Sequence, residues 1–405
     1  MRPTTKETPR VNDPRSAVLS GRVMAALIVG QLGLHAAMAG LRMATPLQAL
    51  RMGASAWTVG VLLALFAAAP VLLALHAGRL ADRWGYHRPV RLAAGLALAG
   101  MAAALASVAL AGWAAVLALC VAATLTGCAA NLGMLTIQRT AGLAARDATE
   151  RMRIFSWLGV APSFSNVVGP VAAGLMIDGT GFGGAYLLLM ALPLATLASA
   201  RHVPVVSGNP APAGEEGRAW DLLAVPGLKR LLAVNWLFST CWDVHSFAVP
   251  ILGHERGFSA STIGFILGTF TLGVTAVRLV VPLLAHRIQV LTVLQGALIG
   301  TALVFMVYPL ATSPWAMGAC AAVLGLTLGV AQPMVMTTLH HLTPDGRHGE
   351  SLAFRSMTIN ASSTLMPLLF GALGTAVGAA ALFWTVGGLV GAGAWLPRRL
   401  AAVKG

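Results

Sequence analysis

The sequence predicts an all-α membrane protein of twelve transmembrane helices in two pseudo-symmetric six-helix bundles. Three observations predict it. The chain of 405 residues is 57% hydrophobic and only 10% charged, too little charge to cover a soluble fold of this length. Its charges sit in short clusters between long apolar runs, the pattern of spans and loops. The second half of the chain also repeats the first.

A span needs roughly 20 apolar residues to cross the hydrocarbon core. Such runs lie near 23–47, 57–77, 90–110, 114–138, 155–177, 183–200, 229–252, 261–285, 289–310, 315–339, 351–376 and 379–397. Glycine and proline within them are compatible with membrane helices. The many Gly and Ala residues suit close helix approach. Residues 1–22 read as a disordered polar tail carrying Pro3, Pro9 and Pro14, without the apolar core and cleavage site of a signal peptide. Residues 201–228, rich in Pro, Gly and charge, read as a linker. It separates 23–200 from 229–397, six spans each, and 398–405 form a closing tail. Trp220 to Val225 is expected to form a short helix on the membrane surface.

The net charge is +14. With the amino terminus inside, 23 of the 27 Lys and Arg fall on the inner side, the exceptions being Arg42, Arg51, Arg256 and Arg278. This bias places both termini in the cytoplasm and accounts for the charge without a nucleic-acid partner. Cys120, Cys128, Cys241 and Cys320 lie in apolar runs without zinc or haem spacing, so no metal or cofactor is expected.

The repeat is specific. Gly53-Ala-Ser55-Ala56-Trp-Thr58-Val-Gly60 matches Gly257-Phe-Ser259-Ala260-Ser-Thr262-Ile-Gly264 at an offset of 204 residues. The same offset aligns Pro46 with Pro250 and Phe66 with Phe270. Further on, Gly127, Met134 and Thr136 align with Gly329, Met336 and Thr338 at an offset of 202. Two six-span repeats of the same orientation imply two bundles about an axis normal to the membrane.

The loop after the second span reads Gly78-Arg79-Leu80-Ala81-Asp82-Arg83-Trp84-Gly85-Tyr86-His87-Arg88. Gly78 and Gly85 permit a tight turn, and Asp82 is an acid placed to meet arginines or a helix amino terminus. The string closely resembles the signature loop of the major facilitator superfamily, twelve-helix bacterial type. In that resemblance Gly78, Asp82, Arg83 and Gly85 form a conformational gate latching the two halves, with Tyr86 replacing a basic residue. The fifth span carries Ser165-Asn166-Val-Val-Gly169-Pro170-Val-Ala-Ala173-Gly174. It resembles the family's antiporter motif, in which Gly169 and Pro170 belong to the gate, and so points to the proton-antiporter exporters. One feature departs from those exporters: Ala123 stands where their fourth span carries an arginine.

Charge inside a bilayer is expensive, so an ionisable residue there marks a functional site. Asp243 is the one acid deep in a span, and His245 follows two residues later. His35 lies at similar depth in the first span, the repeat partner of the seventh. Asp243 with His35 or His245 is the expected proton-coupling site. Arg278 lies within the eighth span, suited to an anionic substrate, whereas Arg42 is expected to snorkel to the outer interface. Gln31, Asn131, Asn166, Asn235, Gln332 and Asn360 are amides able to hydrogen-bond a substrate, and Trp242 lies too deep for an interfacial belt. Gln332-Pro333 suggests a bend in the tenth span.

No Walker-type loop and no nucleophile arrangement is present, which argues against an ATP-driven pump or a membrane enzyme. The expected function is secondary transport by alternating access, moving a small organic compound out of the cell in exchange for protons. Uptake or facilitated diffusion of a small organic anion is the alternative, and a non-transporting membrane sensor the remote one. The expected setting is the bacterial inner membrane, with substrate, protons and lipid as the partners.

Overall fold

A bilayer offers the backbone no hydrogen-bonding partner, so each span must satisfy its own N–H and C=O groups as a helix. The computed structural model describes residues 21–144, 148–204, 219–284, 289–343 and 348–401, and no strand occurs among them. The first group of helices is α1 (Gly21–Arg51), α2 (Ala56–Trp84), α3 (His87–Ser107), α4 (Gly112–Ala144) and α5 (Ala148–Ala200). After the linker come α6 (Leu228–Glu255), α7 (Ala260–Leu284), α8 (Val290–Val307), α9 (Pro314–Gly329), α10 (Ala331–Leu342), α11 (His348–Val377), α12 (Ala379–Gly393) and α13 (Leu396–Ala401).

Two features turn these helices into twelve spans. Gly181 sits inside α5 at φ 80°, ψ −177°, a conformation only glycine adopts without strain. It folds α5 back into two arms, one on each side of residue 181. Conversely, α9 and α10 are two segments of one span, broken at Val330. The break falls just before Gln332-Pro333, where Pro333 removes a helical donor. Nine stretches among the described helices are long and apolar enough to cross a membrane by length and composition, one of them Ala161–Ala200 of α5. The two long helices outside that set are α6 and α11, which carry the polar residues of the site described below.

Several helices outrun their apolar runs. The second and fourth extend to Trp84 and Ala144, past the expected ends at 77 and 138. The linker residues Ala219–Ala224 form a 3-10 helix, and Trp220 packs edge-on against Phe354 of α11 at 5.3 Å. Leu72, Trp113, Leu279 and Trp315 stand largely exposed, as side chains facing lipid rather than water would.

The two bundles touch through a pseudo-symmetric pair of crossings. Both lie on the distal side, away from the chain ends. A Cβ on Gly264 of α7 would meet the carbonyl oxygen of Pro170 in α5, and one on Gly60 of α2 would meet that of Pro367 in α11. Gly174 likewise faces Ala260, and Gly371 faces Ala56. The backbones approach this closely because no side chain intervenes. The α2/α7 pairing keeps the 204 offset read from the sequence. The 202 offset needs correction. Gly127 packs on the backbone of Phe66, and it is Gly325, one turn before Gly329, that packs in the same way on Phe270. Small residues recur along this span, so sequence alone slipped the register by a turn.

Candidate functional site

The repeat partners α1 and α6 supply the centre of the site. On α1, His35, Met38 and Arg42 recur at helical spacing and share one face. On α6, Asn235, Ser239 and Trp242 do the same, with Asp243 beside them. Between the bundles lies a cavity of about 320 Å³, whose wall includes Arg42, Asp243, Arg278 of α7 and Arg355 of α11.

Asp243 is buried. Its Oδ1 lies 3.8 Å from Nη2 of Arg42. Ser362 donates to its Oδ2 at 2.7 Å and Ser363 to its Oδ1 at 3.2 Å, both from α11. One carboxylate thus ties α6 and α11 of one bundle to α1 of the other. Arg278 donates through Nη2 to Oε1 of Gln332 at 2.7 Å. The Nε atoms of Arg42, Arg278 and Arg355 are all buried without a hydrogen-bond partner among the described residues. Three guanidiniums therefore face the cavity against one carboxylate, an excess of positive charge in a place where charge is costly.

This arrangement revises several expectations. Arg42 does not snorkel to the interface; it turns inward and pairs with Asp243. His245 is not the partner of Asp243. Its Nε2 lies 3.3 Å from the Tyr308 hydroxyl and its ring stacks on Phe270 at 4.3 Å, so its ring contacts lie within its own bundle, at the edge of a small cavity that Arg42 also borders. His35 does not pair with Asp243 either, but lines a second cavity, of about 180 Å³, with Asn131, Asn360 and Arg42. Asn166, Asn235, Trp242 and Gln332 line the larger cavity, as does Arg278. Gln31 lies one turn from His35 yet is sealed in protein, with neither amide atom hydrogen-bonded among the described residues.

The expected gate divides in three. The side chains at Gly78 and Asp82 fall outside the described residues. Gly85, at φ 68°, ends α2 and donates its N–H to the Ala81 carbonyl, while Arg83 lines an apolar pocket within the amino-terminal bundle. Tyr86 is buried with Leu27, Val90 and Ile137, a core residue. Gly169 meets the α1 backbone at Ala36 and Gly40 inside one bundle, whereas Pro170 meets Gly264 across the two.

Four functional candidates escaped the sequence. Arg355 counted among the inner-loop cations, although it stands within α11, two helical turns from its start. Ser362 and Ser363 gave no signal because hydroxyls are common in spans. Asp178, at the distal end of the first arm of α5, reaches the other bundle.

The match to the family model of the Major Facilitator Superfamily covers residues 23–241 and again 231–404. The chain belongs to the Major Facilitator Superfamily. It is therefore a multi-pass membrane transporter rather than an enzyme. No curated protein sequence matches it significantly. Solved structures share its fold. One is a POT family transporter in complex with 5-aminolevulinic acid, at 13% identity and TM-score 0.75, covering 93% of this chain and 96% of that one. Another is a peptide transporter POT in complex with alafosfalin, at 15% identity and TM-score 0.73, covering 94% of each chain. A third is the nucleoside transporter NupG, at 12% identity and TM-score 0.70, covering 94% and 99%. At such identities the likeness to other superfamily members concerns the fold, and the site must be read from its own residues.

Proposed function

We propose that this transporter carries a small organic anion together with a proton, by alternating access of its two bundles around the central cavity. The observation that carries the reading is the charge of the wall. Arg42, Arg278 and Arg355 face the cavity against Asp243 alone, and Arg278 and Arg355 have no acidic partner among the described residues. Guanidiniums held in this way recognise carboxylate or phosphate oxygens in a planar fork.

The coupling follows from the pair at the centre. An anion that engages Arg42 competes with Asp243 for it. Asp243, deprived of its counter-ion in a buried site, then gains from taking up a proton. Proton and anion thus favour each other's binding, which is the logic of symport. Export by proton exchange, the reading suggested by the Ser165–Gly174 stretch, needs substrate and proton to exclude one another. A cation competing for Asp243 would do so, and the excess of arginine disfavours that substrate. Cytoplasmic termini and an inner-membrane location belong to the same proposal and rest on the loop-charge bias.

The test is reconstitution in liposomes with an internal pH dye and a panel of organic anions and cations. Entry of an anion should acidify the lumen, and Arg278→Gln or Arg355→Gln should abolish the signal. Alkalinisation on substrate entry, or a response confined to cations, would overturn the reading.

A further inference from the structure

The central cavity is not the only space that Arg42 borders. The same side chain stands on the wall of the arginine-lined cavity, of the His35 cavity and of a smaller one beneath Trp242 and Phe270. Between the two larger spaces the shared wall consists of two side chains, Arg42 and Ser363. Neither is fixed by backbone: one is held by Asp243 at 3.8 Å and the other donates to it at 3.2 Å. When an anion draws Arg42 from Asp243, the partition itself is rearranged.

The two chambers differ in chemistry. The first holds Arg278 and Arg355. Among the described residues the second has no guanidinium or ammonium but Arg42; its walls include Met38, Phe66 and Met134, with His35, Asn131, Asn360 and Ser363 as its polar groups. Asn131 and Asn360 make no side-chain hydrogen bond to any described residue. Methionines give such a wall an adaptable apolar surface, and free amides in a bilayer-depth chamber are groups awaiting a partner. At about 180 Å³ this chamber is too small for an organic ligand alone, whereas ligand sites run from roughly 300 Å³ upward. It has the size of an annex.

We infer that the substrate is a head-and-body anion: its one anionic end lies among Arg42, Arg278 and Arg355, and its uncharged body, carrying a hydrogen-bonding group, passes Arg42 into the His35 chamber. This deepens the anion reading and rests on it. Compounds charged at both ends are disfavoured, because Arg42 is the one guanidinium on the wall of the second chamber and is already engaged by the first anionic group, leaving the second among His35, thioethers, a phenyl ring and amides.

The experiment uses the purified full-length protein and straight-chain monocarboxylates of two to eight carbons, with the α,ω-dicarboxylates of equal length. Binding is read from tryptophan fluorescence, Trp242 being on the wall of the first chamber. Affinity should rise with chain length, and the second carboxylate should weaken binding at least tenfold at equal length. Met134→Trp, which fills the annex, should bring the long-chain affinity down to the short-chain value. Asn131→Leu should leave the gain from chain length but remove the gain from an ω-hydroxyl. Arg355→Gln should weaken every length alike. A length dependence that survives Met134→Trp would overturn the two-chamber inference while leaving the anion reading intact. Binding at no length, or binding indifferent to Arg355→Gln, would overturn the anion reading itself. Retained short-chain binding by the variants shows that they are folded.

Discussion

Asp178 accepts the backbone N–H of Ala260 at 3.0 Å and that of Ser261 at 2.7 Å, so a carboxylate of the amino-terminal bundle caps the first turn of α7 in the other. The unpaired donors and positive dipole of a helix start favour such a partner. The pseudo-symmetric crossing has no counterpart. By the pairing of Pro170 with Pro367 and Gly174 with Gly371, Thr375 stands where Asp178 does, and its hydroxyl donates within its own helix to the Gly371 carbonyl at 2.7 Å. The two crossings are alike in backbone and unlike in latch. Asp178→Ala should therefore loosen the α5–α7 crossing and leave α2–α11 closed. Charge-assisted hydrogen bonds contribute about 1.5–3 kcal/mol when buried. Asp178 is exposed, so about 1 kcal/mol is the fair figure, a shift of roughly fivefold in population. Spin-label distances across each crossing would measure it, and equal loosening of both would refute the asymmetry.

The crossings themselves admit no side chain. At Gly264 a Cβ would stand 2.5 Å from the Pro170 carbonyl oxygen, which is backbone and cannot give way. Gly264→Leu should wedge the distal side apart and abolish transport while the protein still purifies as a monodisperse species. Gly268 is the control one turn on. Its Cβ would meet the Val171 side chain at 3.0 Å, a contact that a small rotation relieves. Gly268→Ala should keep most of the transport rate. Equal loss in both variants would mean that packing in general, not the crossing, is at stake.

The Arg42–Asp243 pair predicts non-additive stability. Removing one partner of a buried ion pair costs about 3–5 kcal/mol because the other charge is stranded. Arg42 keeps 25% of its side chain accessible, so the lower end applies. Arg42→Ala should destabilise the protein by about 3 kcal/mol. The double variant Arg42→Ala, Asp243→Ala should cost less than the sum of the single changes. Thermal unfolding of the four proteins in one detergent completes the cycle. Strict additivity would show that the two side chains do not interact.

The sequence carried the fold well, for physical reasons. Span lengths follow from bilayer thickness, and the Gly53–Gly60 and Gly257–Gly264 repeats survive because Ala56, Gly60, Ala260 and Gly264 meet the opposite bundle backbone to backbone, while Gly53 and Gly257 take the positive φ that turns the chain into the next span. The site was legible only in its inventory. Asp243, Arg278, Asn166, Asn235, Trp242 and Gln332 could be picked out as polar or aromatic residues in apolar runs, and they do line the cavity. Their partners could not, because facing depends on helix rotation. Gln31 and His35 share a face of α1, yet one is sealed and the other lines a chamber. Arg42 and Arg355 were misplaced by depth. A cation within two turns of a helix end reads as an interfacial residue unless the neighbouring helices are known. The α6 and α11 helices did carry a usable signal, since the spans least apolar are those that face the cavity.

Asp243→Asn separates coupling from carriage. The amide oxygen still accepts from Ser362 or Ser363, but the charge that holds Arg42 is gone. Arg42 is then permanently free for the anion, as it is in the wild type once Asp243 takes a proton. If proton and anion bind cooperatively, wild-type affinity for the anion should rise as the pH falls, by linkage. The variant should show the high, acid-like affinity throughout, with anion exchange retained and proton movement lost. His35 borders the adjoining chamber beside Arg42 and is the other side chain there able to take up a proton. His35→Gln therefore serves as the control, and the pH dependence should persist in it. A pH profile that Asp243→Asn leaves unchanged and His35→Gln removes would move the coupling site from α6 to α1.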